Sequence, residues 1–186
     1  MDLEQAIYGR RAVRTYTSAP VLKGAIEQLI GAAIQAPSAV DTQPWHFTVI
    51  TDGALLAQIA AAAKSHMAEL LSKRSDVEPR LRQHLETPDF QIFYHAPALV
   101  VISVLADDWA VENASLAAEN FMLAAHAAGL GTCWIGFAQH WLGTPAGRAA
   151  IRLSQEFTPV APIILGHPAE PVPAVPRRPA RIDWLG

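Results

Sequence analysis

Three guanidinium groups stand within five residues near the start of the chain: Arg10, Arg11 and Arg14, in Tyr-Gly-Arg-Arg-Ala-Val-Arg-Thr-Tyr. Cations crowded in this way repel one another strongly once water is withdrawn, so a shared anion is the natural way to hold them together. The planar fork of arginine suits phosphate, to which it makes paired, charge-assisted hydrogen bonds. A solvated basic face is the plainer alternative. A further basic pair, Arg177 and Arg178, lies in a proline-rich stretch and is a candidate to close on the same anion.

A second cluster of short polar groups lies between Ala36 and Phe47, in Ala-Pro-Ser-Ala-Val-Asp-Thr-Gln-Pro-Trp-His-Phe. Pro37 stops a helix ending near Ala36, and Pro44 is expected to keep Gln43 extended. Ser38, Asp41, Thr42 and Gln43 can then hydrogen-bond a planar, polar ligand while Trp45 and Phe47 anchor the loop in the core. An ordinary helix-to-strand connection is the competing reading.

Other chemistries find little support. The seven histidines are scattered, with no His-Glu-x-x-His and no paired cysteines, so no metal site is expected. Ser38 lacks the Gly-x-Ser-x-Gly turn of a hydrolase. Cys133 sits beside Trp134 and Ile135 and reads as a small apolar group. Gly129-Leu-Gly131 follows a helix pattern rather than a strand, unlike a dinucleotide fingerprint.

The elements that must position these residues follow from periodicity and caps. Asp2 caps a first helix whose inward face is expected to hold Leu3, Ala6 and Ile7. Apolar Leu22, Ile26, Leu29, Ile30, Ala33 and Ile34 recur at helical spacing. Phe47 and Val49 alternate as a strand, and Asp52 caps a helix carrying Leu55, Leu56, Ile59 and Ala63. Residues 72–90 form a polar, partly helical excursion interrupted by Pro79. Pro97 to Ala106 is apolar on both faces, as a central strand should be. Residues 108–128 form a long helix with Leu116, Asn120, Leu123 and Ala127 on one stripe, stopped by Gly129. Thr144-Pro145 starts a short helix, and Val160 to Leu165 is a late strand. From Pro168 the prolines forbid regular structure, which leaves an extended arm over 168–186 that Trp184 and Leu185 would dock.

The 186 residues suit one compact domain, 1–186. Hydrophobic residues make up 51% and charged ones 17%, with a mean hydropathy of +0.18, so part of the surface is expected to face another subunit. A net charge of -3 disfavours nucleic acid as partner. The longest strongly apolar run, Ala96 to Ala106, is too short to span a bilayer, so no membrane is expected. The single cysteine and a start without signal-peptide character point to the cytoplasm.

In order along the chain, Arg10-Arg11-Ala12-Val13-Arg14, residues 36–47, Gly129 to Gly136 and Gly166 to Pro179 resemble the nitroreductase family of FMN-dependent oxidoreductases. The resemblance implies an α+β fold, with a mostly antiparallel central sheet flanked by helices, in an intertwined homodimer with two FMN sites at its interface. It places Arg10, Arg11 and Arg177 on the phosphate, and Arg14 at the pyrimidine side, where a cation favours the reduced flavin. Cys133, Trp134, Ile135 and Gly136 lie near the ring, with Gly136 allowing close backbone approach. Pro37, Ser38, Ala39, Asp41 and Gln43 come from the other subunit, and residues 72–90 cover the substrate side. Two residues depart from the pattern. Ala12 replaces a frequent Ser, which removes a hydroxyl near the phosphate or ribityl chain. Asp41 replaces an Asn, so it can accept but not donate when ionised; it would accept from the flavin N3–H or turn towards an arginine. The implied activity is ping-pong transfer of electrons from NADH or NADPH to a small acceptor such as a nitroaromatic or quinone, with no catalytic acid or base assigned to a side chain. A related FMN enzyme acting without nicotinamide, as a dehydrogenase, dehalogenase or flavin-fragmenting enzyme, stays open. So does a non-enzymatic flavin-binding protein that docks partners through its Pro-Arg tail.

Overall fold

The computed structural model describes residues 1–74, 76, 83, 85 and 87–186. Asp2 opens helix α1 (Leu3–Gly9) with a reciprocal cap: its carboxylate accepts from the Gln5 N–H at 2.8 Å, and the Gln5 side chain accepts from the Asp2 N–H at 3.2 Å. Helix α2 spans Lys23–Ala33 and strand β1 Trp45–Ile50. Asp52 caps α3 (Gly53–Ser72) by accepting from the Leu55 N–H at 2.7 Å. Strand β2 (Ala98–Leu105), helix α4 (Ala110–Ala127), strand β3 (Gly131–Trp134) and helix α5 (Gly136–Leu142) follow. Thr144 caps α6 (Pro145–Ala150), and strand β4 spans Phe157–Gly166.

The four strands lie in the order β1-β2-β4-β3, all antiparallel. This is the expected α+β architecture. Seven of the eight β2 residues are buried because helices cover both faces of the sheet. Ala98, Val100, Ile102 and Val104 point to the side of α2 and α4, and Leu99 and Val101 to the side of α3 and α5. Truncating one of these side chains to alanine, such as Ile102, costs about 2–5 kcal/mol, the lost transfer energy plus the cavity left behind. Among the described residues no helix is long and apolar enough to cross a membrane.

The buried face of α4 is Ala114, Ala117, Ala118, Phe121 and Ala125, because small residues let the helix lie close on the sheet. Three sequence expectations need correction. In α1 only Ala6 is buried, while Leu3 and Ile7 are 70% and 52% exposed on this chain. The arm is not docked on its own chain: every residue beyond Val172 is exposed, Trp184 and Leu185 almost fully. Gln43 is left-handed rather than extended, with φ 46°. Of the excursion at 72–90, Ser75, 77–82, His84 and Glu86 lie outside the described residues.

Candidate functional site

The arginine segment is stitched to the sheet. Ala12 bridges Thr132 in parallel, and the Val13 N–H donates to the Thr132 carbonyl at 2.9 Å. Farther on, the Thr17 N–H donates to the His167 carbonyl at 2.9 Å and the Ala169 N–H to the Thr15 carbonyl at 3.0 Å. Residues 12–17 therefore run beside β3 and the chain leaving β4. Gly131 permits this approach, since a Cβ there would lie 2.7 Å from the Val13 Cβ. The result places Arg10 and Arg11 on the Leu130–Thr132 side of this junction and Arg14 beside Cys133.

A proline in β4 shapes the other wall. The Pro162 carbonyl accepts from the Ile135 N–H at 2.8 Å, so Pro162 turns its hydrogen-bonding edge towards β3. Having no N–H, it offers nothing to the Ile135 carbonyl. That carbonyl accepts from the Ala138 N–H at 3.0 Å instead, and α5 begins. The β3 ladder thus ends where the chain must turn. Gly136 starts the helix with an N–H that has no partner within it, and nothing lies within 4 Å of the place its Cβ would occupy.

Charge collects on this edge. The Arg11 Nη1 group donates to the Tyr8 and Arg10 carbonyls at 2.7 Å each, and Arg10 Nε lies 3.4 Å from Glu119 Oε1. The Nε atoms of Arg10 and Arg11 are nevertheless buried without a hydrogen-bond partner. Both arginines line a cavity of about 340 Å³ with His126, Thr132, Glu170 and Val172. Burial, reinforced by Arg10 and then Arg11, pulls the His126 imidazole below its ordinary value. Arg14 lies apart, beside Cys133, Tyr16 and Tyr94. Burial pushes the Cys133 thiol and both phenols up, while the Arg14 charge partly pulls them back. The Tyr16 hydroxyl donates to the Val13 carbonyl at 2.7 Å. Cys133 packs in the core, as expected of a small apolar group.

The polar loop is built at the opposite end of α4. Asn113, 1% exposed, accepts from the Ala39 N–H through Oδ1 at 2.9 Å, and its carbonyl accepts from Trp45 Nε1 at 2.9 Å. Ser38 Oγ accepts from the Gln43 N–H at 2.9 Å, and Gln43 Nε2 donates to Asp41 Oδ1 at 3.0 Å. These two bonds curl the chain, and Val40, Asp41 and Gln43 all take positive φ. Strain of this kind in non-glycine residues gathers at functional loops. Asp41 thus pairs with Gln43 rather than an arginine, and Pro37 opens the loop with Trp45 and Phe47 packed as anchors.

The sequence model of the nitroreductase family matches residues 7–165. The chain belongs to that family. A protein of Methanothermobacter thermautotrophicus, provisionally named NADH dehydrogenase/NAD(P)H nitroreductase, is 31% identical over 170 residues, 91% of this chain and 79% of the relative. A nitroreductase with bound FMN from Bacteroides fragilis superposes with a TM-score of 0.82 at 25% identity, covering all of both chains. Iodotyrosine deiodinase, bound to FMN and 3-iodo-L-tyrosine, superposes over all of both chains with a TM-score of 0.80 at 21% identity. At that identity the likeness concerns the fold alone.

This nitroreductase-family chain gathers Arg10 and Arg11 at one cavity, Ala12 on Thr132 and Arg14 beside Cys133, from which the chain runs on through Trp134 and Ile135 to Gly136. It holds Pro37, Ser38, Ala39, Asp41 and Gln43 elsewhere: the anchor Asn113 and the cavity residue His126 are 13 positions apart on α4, about 20 Å along its axis. Arg177 lies on the exposed arm beyond Val172, the last arm residue lining the cavity at Arg10 and Arg11. Sequence reasoning passed over Asn113 and Tyr94. Only Asn113 carried a signal, as an amide within an alanine-rich helical face.

Proposed function

We propose that the protein is an FMN-dependent oxidoreductase that takes electrons from NADH or NADPH and passes them to nitroaromatics, quinones or similar small acceptors, as a homodimer with two shared sites. The carrying observation is the stitching of residues 12–17 to β3 and the chain leaving β4, which sets Arg10 and Arg11 at one cavity and Arg14 beside Cys133. The chain fits the cofactor. Two buried guanidinium Nε atoms beside a cavity have no hydrogen-bond partner, that of Arg10 lying 3.4 Å from the Glu119 carboxylate, and a phosphate monoester satisfies such donors. Bound FMN supplies a two-electron carrier able to receive hydride from a nicotinamide and hand electrons on.

The chain's own residues bind, orient and neutralise. Arg10 and Arg11 hold the phosphate, and Arg177 joins them if the arm folds back. Arg14 places a permanent cation where negative charge accumulates. The Gly136 N–H at the start of α5 presents a backbone donor, and Ala12 leaves only its backbone amide for the ribityl side. Cys133 and Tyr16 stay protonated at neutral pH and act as neither base nor nucleophile. The loop of Pro37, Ser38, Ala39, Asp41 and Gln43 reaches the ring from the partner, because within one chain α4 holds it too far away. Exposed apolar side chains on α1 and α4 support the dimer, among them Leu3, Ile7, Tyr8 and Leu116.

An absorption spectrum of the purified protein, before and after each nicotinamide, tests this reading. Yellow protein that bleaches on NADH or NADPH and recovers with a quinone or nitroaromatic is expected. Colourless protein that cannot be loaded with FMN would falsify it. The second reading keeps FMN without a nicotinamide donor, and the likeness to a deiodinase favours it insofar as one fold serves several reactions. Bound flavin that stays yellow with both nicotinamides in stopped flow selects it.

A further inference from the structure

Arg14 is exposed, and among the described residues it has no carboxylate partner. A long cationic side chain in that position ordinarily samples many rotamers. Here its Cζ lies over the Tyr94 ring, 5.9 Å from the centroid, within the range of cation–π attraction. The ring is itself held. Phe90 meets it edge-on at 5.5 Å and 72°, and the Tyr94 N–H donates to the Gln91 carbonyl at 2.9 Å. Tyr94 and His95 both take positive φ, 52° and 55°. Glycine accommodates such a backbone best, and an aromatic residue is unusual there. The ring packs against the core, and among the described residues Arg14 is the cation that lies over it.

We propose that Tyr94 is the positioning residue for Arg14: its ring, presented by a left-handed turn, fixes the guanidinium at the site edge beside Cys133, so the charge is aimed before a flavin arrives. This rests on the FMN reading above. It names a residue that touches neither the phosphate cluster nor the polar loop and that acts only through Arg14.

FMN titration by fluorescence quenching and a redox titration of the loaded protein test it, on wild type, Tyr94→Phe, Tyr94→Leu, Arg14→Ala and the Arg14→Ala/Tyr94→Leu double variant. Tyr94→Leu should weaken FMN binding about three- to tenfold, the scale of a cation–π contact. Reduced flavin should lose about tenfold more affinity than oxidised flavin, a potential lower by about 30 mV for a two-electron couple. Tyr94→Phe keeps the ring and should stay near wild type. In the Arg14→Ala background Tyr94→Leu should change nothing further, because the residues form one unit. Circular dichroism checks folding, and Tyr94→Gly, which relieves the left-handed backbone, serves as the ringless variant if Tyr94→Leu does not fold. Ringless variants matching wild type in affinity and potential, additive effects in the double variant, or Tyr94→Phe as weak as Tyr94→Leu would each overturn the proposal while leaving the FMN reading intact. Wild type that binds no FMN overturns both.

Discussion

Val13 and Gly131 touch with no space for another atom: a methyl at position 131 would lie 2.7 Å from the Val13 Cβ and 2.7–2.8 Å from both of its γ carbons. The arginine segment reaches the sheet at this point, so the contact governs where Arg10, Arg11 and Arg14 stand. Gly131→Ala should destabilise the fold by about 1–3 kcal/mol through overpacking, read by denaturant unfolding. It should also weaken FMN binding, because residues 12–17 must shift. Unchanged FMN affinity in a destabilised variant would show that the arginines do not depend on this contact.

Asn113 ties the polar loop to α4 through its bond from the Ala39 N–H. Asn113→Ala leaves that N–H without an acceptor, at a cost of about 1–3 kcal/mol where it is shielded from water. The Trp45 bond goes to the Asn113 main chain and should persist. Hydrogen exchange should therefore speed up at Ala39 to Gln43 and not in β1. Equal loss of protection in both would point to general unfolding instead.

Asp41 places a carboxyl group in the loop that the dimer would lay against the flavin ring. Asp41→Asn preserves an acceptor for Gln43 Nε2 while removing the charge. The flavin midpoint potential should rise in the variant, since a nearby anion disfavours a reduced, negatively charged ring. A redox titration that finds the two proteins equal, or the variant lower, contradicts this.

His126 sets a pH dependence. Its folded-state affinity for a proton lies below the ordinary value near 6.5, through burial and the charges of Arg10 and Arg11. Glu119 and Glu170 are the acidic groups nearby. With the folded pKa depressed, the unfolded chain takes up the proton first, so this site lowers stability as pH falls through about 6.5. The flavin-free protein should lose stability between pH 7 and 5, and His126→Gln should flatten that slope. Thermal melts across the range decide it; an unaltered slope would assign the loss to other groups.

Residues 173–186 are exposed and add nothing to the core of their own chain. Removing them should leave the circular dichroism spectrum unchanged. If the arm embraces a partner and Arg177 reaches the phosphate, the truncated protein should dissociate at higher concentration and hold FMN more weakly. Analytical ultracentrifugation with an FMN titration reads both effects.

Much of this molecule is written in short-range chemistry. Asp2, Asp52 and Thr144 cap the helices their positions suggest, Gly129 takes the left-handed stop at φ 76°, and the apolar run through Leu99 and Val101 becomes the buried central strand. Caps, turns and periodicity depend on residues a few positions apart, so the chain alone determines them; the ordered motifs likewise identify the family. Tertiary packing decided the rest. An alanine-rich helix offers little hydrophobic contrast, so close approach to the sheet chose the inner face of α4. The bonds of Ser38 and Asp41 to Gln43 overrode the preference imposed by Pro44. The meeting of Arg14 with Tyr94 and Cys133 joins residues 80 and more positions apart, and only the stacking of strands on helices brings such residues together.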